Sequence, residues 1–285
     1  MKSINGTKLM GLGLVSLCAL TLGAPSVFAV DPEADTKADV KFVEDTEAMD
    51  PEKPEVTDPT NPDGTPGNVI PGGEGSGGNG KKSFNINWVS HFKFGEIKIA
   101  GQTMSAFAQP TTLNWADEGM VATGDKTAGL ANFLQVTDNT GSNAGWHVTV
   151  KGTPFYELDG ENKEIPANTL AGAELFLTEP QIIGATGNDA LAPVSSLLGT
   201  TDLLNGAGSH NVLEAANQKG QATWSLTWGA QADKTTLKGI TVAGNTATGK
   251  ATSGVELSVP VTAQPKADKN YRSTLQWTLV SGPQK

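Results

Sequence analysis

Cysteine is nearly absent: the one copy in 285 residues is Cys18. It lies in an uncharged, Leu-rich run, Leu9 to Ala24, that follows Lys2 and Lys8 and leads to Val27-Phe28-Ala29. A basic start, a short apolar run and an A-x-A-like site make a secretory signal, with cleavage expected after Ala29. The run falls short of the ~18–20 residues of a membrane span, so none is expected in the mature chain. Leu17 before Cys18 and Ala19-Leu20 after it argue against lipidation. Signal removal leaves a chain without cysteine, which excludes intrachain disulfides, thiol catalysis and Cys-ligated metals. An exported chain without such staples must rest on a hydrophobic core.

Catalytic residue types are equally thin. His91, His147 and His210 stand far apart, without H-E-x-x-H or other ligand spacing. No G-x-S-x-G elbow presents a nucleophile, and no spacing singles out a carboxylate pair. No catalytic residue, metal or cofactor is therefore expected. The C-terminus, Leu279 to Lys285, shows neither a sortase motif nor an apolar tail, so the protein is expected either to diffuse away or to be held by something its fold binds on the cell surface.

Positive charge is also scarce. Residues 31–80 hold 13 acidic and 3 basic residues, and residues 81–285 hold 17 and 15. The basic patch that a nucleic-acid footprint needs is missing. Prolines at 32, 51, 54, 59, 62, 66 and 71 and a Gly-rich stretch from Gly72 to Gly80 mark residues 30–82 as an expected disordered acidic spacer. Gly73-Glu-Gly75-Ser-Gly-Gly78 satisfies G-x-G-x-x-G, but neither strand nor helix flanks it, and it reads as linker. Asn61-Pro-Asp63-Gly64 lacks the other ligands of a calcium loop.

What is present begins at Ser83. Phe84, Ile86, Trp88, Ser90, Phe92 and Phe94 alternate with Asn85, Asn87, His91 and Lys93; Trp146-Val148-Val150, Val255-Leu257-Val259 and Tyr271-Ser273-Leu275-Trp277-Leu279 alternate likewise. Short period-two runs between Gly/Asn/Asp/Ser clusters predict an all-β fold, an antiparallel β-sandwich, Ig-like or related, with elaborated loops over residues 83–285. Asp189 to Leu204 is less strand-like and reads as a short helix or a long loop.

Tryptophan carries the most specific pattern. Trp224-Ser-Leu226 and Trp277-Thr-Leu279 both read W-x-L, and Trp228 extends the first. Positions i and i+2 of a strand share a face, so each tripeptide pairs an indole with an isobutyl group. Val255-Glu-Leu257-Ser-Val259-Pro260, Tyr271, Leu275-Gln-Trp277-Thr-Leu279 and Pro283 follow in order, and Asn87-Trp88 leads to Phe92-Lys-Phe94-Gly95. In this the chain resembles the WxL family of cell-surface proteins of Gram-positive bacteria. The resemblance leaves two candidates for the first motif: Trp224-Ser-Leu226, and Trp146-His-Val148 after Gln135-Val136-Thr137-Asp138, where Asn139 and Thr140 stand in place of a frequent basic residue.

The resemblance implies secretion, non-covalent attachment to peptidoglycan, and complexes with membrane-anchored or wall-linked surface proteins. Its motif residues here are Trp146, Val148, Trp224, Leu226, Trp228, Trp277 and Leu279. They are either core residues or a platform whose indoles stack on sugar or pack on a partner. Two other readings remain: docking on a membrane-anchored partner with indirect wall retention, and an extracellular glycan-active enzyme.

Overall fold

The strand Asn132–Asp138 is buried along its whole length, because structure covers both of its faces. The computed structural model describes residues 37, 39–196, 198–200, 203–204, 208–229, 241–242, 245–246 and 253–284. The expected signal peptide, residues 1–29, lies outside them. Residues 43–285 form one unit; of the other, residues 1–42, Lys37 and residues 39–42 are described, without strand structure.

Twenty-two strands and two short 3₁₀ turns make up the described chain. The first eight are β1 (Glu55–Val56), β2 (Gly67–Val69), β3 (Gly75–Ser76), β4 (Phe84–Ser90), β5 (Met104–Phe107), β6 (Thr111–Ala116), β7 (Ala122–Leu130) and β8 (Asn132–Asp138). Then come β9 (Trp146–Gly152), β10 (Tyr156–Leu158), β11 (Glu164–Thr169), β12 (Glu174–Leu177), β13 (Pro180–Gly184), β14 (Val194–Ser195) and β15 (Leu198–Thr200). The last are β16 (His210–Ala215), β17 (Ala222–Trp228), β18 (Thr241–Val242), β19 (Asn245–Thr246), β20 (Val255–Val259), β21 (Tyr271–Arg272) and β22 (Leu275–Ser281). The region between Asp189 and Leu204 resolves into a 3₁₀ turn, Asp189–Leu191, followed by β14 and β15. The all-β, antiparallel expectation holds: every ladder is antiparallel.

A five-stranded sheet, β13-β17-β8-β4-β3, stands at the centre. Leu134 and Val136 of β8 point to one face and Phe133 and Gln135 to the other, as the pleat requires. The first face meets Trp146, Val148 and Val150 of the sheet β14-β16-β9-β22, and Leu175, Val255 and Leu257 of the sheet β15-β12-β20-β5, in the larger core. The second face packs Phe133 and Trp88 against Val56, Val69, Leu113 and Leu130 of the sheet β1-β2-β6-β7.

That second core corrects the expectation of a spacer through residue 82. From residue 43 on the segment belongs to the folded unit. Val56 and Val69 are fully buried, each a burial of about 1.5–3 kcal/mol. The segment also hydrogen-bonds like a strand set: Met49 N–H donates to Gly80 O at 2.8 Å and Lys82 N–H to Glu47 O at 2.8 Å. Its apolar residues lie too far apart to show a period, since each strand here is only two or three residues long. Glycine in this stretch is a packing requirement. A Cβ on Gly75 would sit 2.3 Å from the Trp88 ring.

A second correction concerns β4. Trp88 does not share the face of Ile86, because a bulge between Ile86 and Trp88 shifts the register. One extra residue in a strand reverses every side chain beyond it. Phe84, Ile86 and Val89 therefore line the larger core, and Trp88 enters the smaller one. Phe92 and Phe94 lie beyond the end of β4 yet still pack on the larger core.

Candidate functional site

The motif residues converge on one place. β22 pairs with β9 so that Trp277 faces Val150, Leu279 faces Val148 and Ser281 faces Trp146. The second W-x-L tripeptide thus lies beside Trp146-His-Val148 on the neighbouring strand. β17 carries the other candidate and meets this sheet across the larger core. There the Trp228 and Trp277 rings lie 5.7 Å apart, tilted by 41°, and Phe92 meets Trp228 edge-on at 5.7 Å. All three tripeptides therefore share one hydrophobic core, with the Trp277 ring set against Trp228.

Their exposure differs. Trp146, Val148 and Leu226 are fully buried, and Trp224 and Trp228 are 2 % and 1 % exposed. Trp277 and Leu279 on β22 are only half-buried, with Gln276 and Thr278 exposed between and beside them. Two buried indoles are fixed at their nitrogens. Trp146 Nε1 donates to Gly220 O at 3.0 Å, and Trp224 Nε1 to Gln221 O at 2.8 Å. Each also packs closely on a glycine: a Cβ on Gly220 (φ +80°) would come within 2.4 Å of the Trp146 ring, and one on Gly184 within 2.4 Å of Trp224.

The V-x-D segment before Trp146 has a local role. Asp138, at the end of β8, accepts from Thr140 Oγ1 at 2.7 Å and from Thr140 N–H at 3.1 Å, closing the turn that leads towards β9. Next to this end, His147 Nδ1 lies 2.7 Å from Gly282 O and pins the C-terminal end of β22.

The histidines do not meet in one site. His91 lies just past β4, with Nε2 2.9 Å from Ser76 Oγ. Loss of hydration, and then the nearby Lys93 charge, hold its pKa below the ordinary 6.5. His210 lies on β16 opposite Val150. Among the described residues no group of three or more His, Cys, Asp or Glu side chains could hold a metal ion.

Two polar side chains that local sequence did not single out organise the unit. Gln135 Nε2 donates to Thr57 O at 2.7 Å and to Ser225 Oγ at 2.8 Å, and its Oε1 accepts from Thr57 N–H at 2.9 Å. Glu157 on β10, with its side chain 5 % exposed, accepts from Lys266 Nζ at 2.7 Å and Asn168 Nδ2 at 3.0 Å. The Lys266 bond is the first cause of a Glu157 pKa held below the ordinary 4.5. Both contacts span distant parts of the chain, so no local motif announces them.

A family model described as WxL domain surface cell wall-binding matches residues 29–283. The match includes the segment expected to be a spacer. No curated protein and no solved structure matches the chain. An all-β chain whose W-x-L tripeptides meet in one core, matched over nearly its whole length, belongs to the WxL domain family and is a cell wall-associated surface protein.

Proposed function

We propose that this is a secreted, non-catalytic protein that attaches non-covalently to peptidoglycan and works as a component of a surface complex or an adhesive layer. The observation that carries the reading is the near full-length match to a cell wall-binding family. Burial supports a division of the motif residues by role. Trp146, Trp224 and Trp228 are buried and hold the sheets together. The ridge of β22 formed by Trp277 and Leu279 is half-exposed, which supports it as the part that a wall polymer reaches. A half-exposed indole suits the apolar face of a sugar ring.

The test is sedimentation of the chain from residue 30 onward with protein-free peptidoglycan, beside Trp277→Ala. Near-UV circular dichroism checks that the variant is folded. Binding that is lost in a folded variant supports attachment through β22. A well-folded parent chain that stays in the supernatant would sink direct attachment and turn the reading to a membrane-anchored protein partner.

A further inference from the structure

Among the described residues β22 is an edge strand of its sheet. It pairs with β9 on one side and, among the described residues, with no strand on the other. The ladder shows which backbone groups are free. Gly282 N–H donates to Gly145 O at 2.8 Å and Thr153 N–H to Thr274 O at 3.0 Å. Hydrogen-bonded pairs alternate along an antiparallel ladder, so the N–H and C=O groups of Leu275, Trp277, Leu279 and Ser281 point away from β9. The strand reads LQWTLVS over seven residues, with no charge, proline or glycine. Its ladder with β9 carries no bulge. Sheet edges are ordinarily blunted by lysine, proline, a bulge or short length, and this edge has none of them.

The same chain holds a segment suited to that edge. Val40, Phe42 and Val43 are 77 %, 89 % and 79 % exposed, the three most exposed large apolar side chains described. They belong to Asp39-Val-Lys-Phe-Val-Glu44, a stretch without strand pairing among the described residues. Val and Phe favour strands, and in a strand Val40 and Phe42 fall on one side. The segment has a fixed root, since Ser83 Oγ donates to Glu44 Oε1 at 2.7 Å.

We propose that residues 39–44 of one copy add as a strand to the β22 edge of a second copy. Main-chain hydrogen bonds to the outward groups of Trp277 and Leu279 supply the attraction, and Val40 and Phe42 cover the half-exposed ridge, the general mode of strand addition. Donor and acceptor are different surfaces, so the contact is head-to-tail and extends into files of molecules unless it closes as a ring.

Sedimentation velocity over a rising concentration series of the chain from residue 30 tests this, beside a variant with Val40→Asp and Phe42→Asp. Both replaced side chains are exposed, so the variant keeps its near-UV signal. The parent chain is expected to shift from monomer to dimer and longer species, and the variant to stay monomeric. A parent chain that stays monomeric, or association that survives in the variant, overturns the proposal. The edge is tested by mixing Lys41→Cys molecules with Thr278→Cys molecules and a bismaleimide cross-linker. Cross-linked pairs are expected in severalfold excess over a mixture with Thr123→Cys on β7, and equal yields would overturn the edge assignment. Both ideas use the β22 ridge, so a copy whose edge is occupied cannot offer that ridge to the wall. Peptidoglycan sedimentation of the Val40→Asp, Phe42→Asp variant, whose edge stays open, reads attachment separately, so either idea can fail while the other stands.

Discussion

Gln135 holds Thr57 by both groups of its backbone, with the amide nitrogen 2.7 Å from the carbonyl oxygen and the amide oxygen 2.9 Å from the N–H nitrogen. The side chain thereby acts as one rung of a sheet between β8 and the segment after β1. Removing it leaves two buried backbone groups without partners. Gln135→Ala is expected to lose about 2–3 kcal/mol, read from the urea midpoint, and to open residues 50–70 to limited proteolysis. An unchanged cleavage pattern would show that the segment is held by its apolar residues alone.

Gly75 faces the Trp88 ring with no room for a methyl group, whereas nothing lies within 4 Å of a Cβ on Gly73. Gly75→Ala should therefore cost about 1–3 kcal/mol through overpacking and alter the tryptophan fluorescence. Gly73→Ala, two residues away, should leave both unchanged.

The tryptophans of the motifs should separate by burial. Trp224→Ala empties a site that is 2 % exposed and is expected to cost about 3–5 kcal/mol. Trp277→Ala removes a half-buried ring and its contact with Trp228. Its expected cost is on the order of 1–2 kcal/mol, small enough for binding to be measured on a folded variant. Equal losses by thermal unfolding would contradict the division of roles.

The Glu157 pKa lies below its ordinary value, so the native state favours the ionised form. The stabilisation is complete above about pH 4.5 and is lost as pH falls through the lower native value. Glu157→Gln should flatten the stability profile on the acid side of pH 4.5 and leave its slope near neutrality unchanged. The exposed Lys266 end should make part of the effect disappear in high salt.

Strand alternation made the fold class legible. Trp146-Val148-Val150 and Val255-Leu257-Val259 are buried as their period requires. The shared position of the W-x-L strands was legible only as a pattern of letters, because contact between β9, β17 and β22 comes from pairing far along the chain. Two features escaped for physical reasons. The bulge at Asn87 reverses Trp88 without any local mark, although Asn87 Nδ2 donates to Glu55 O at 3.0 Å and helps hold it. Residues 43–82 have a disorder-like composition, yet a few scattered side chains suffice there, because the rest of the core lies in β4, β6, β7 and β8.

The contacts of indoles with glycines have a bearing on inheritance. At 75 and 88, at 184 and 224, and at 220 and 146, a bare backbone and a large ring fill one space together. Neither member can be judged by its own tolerance to change. A side chain at the glycine becomes acceptable only where the ring has shrunk, and a smaller ring only where something grows to meet it. Descendants that keep this fold are thus expected to change these positions two at a time, so that a flexible-looking glycine and a conspicuous tryptophan behave as a single inherited character.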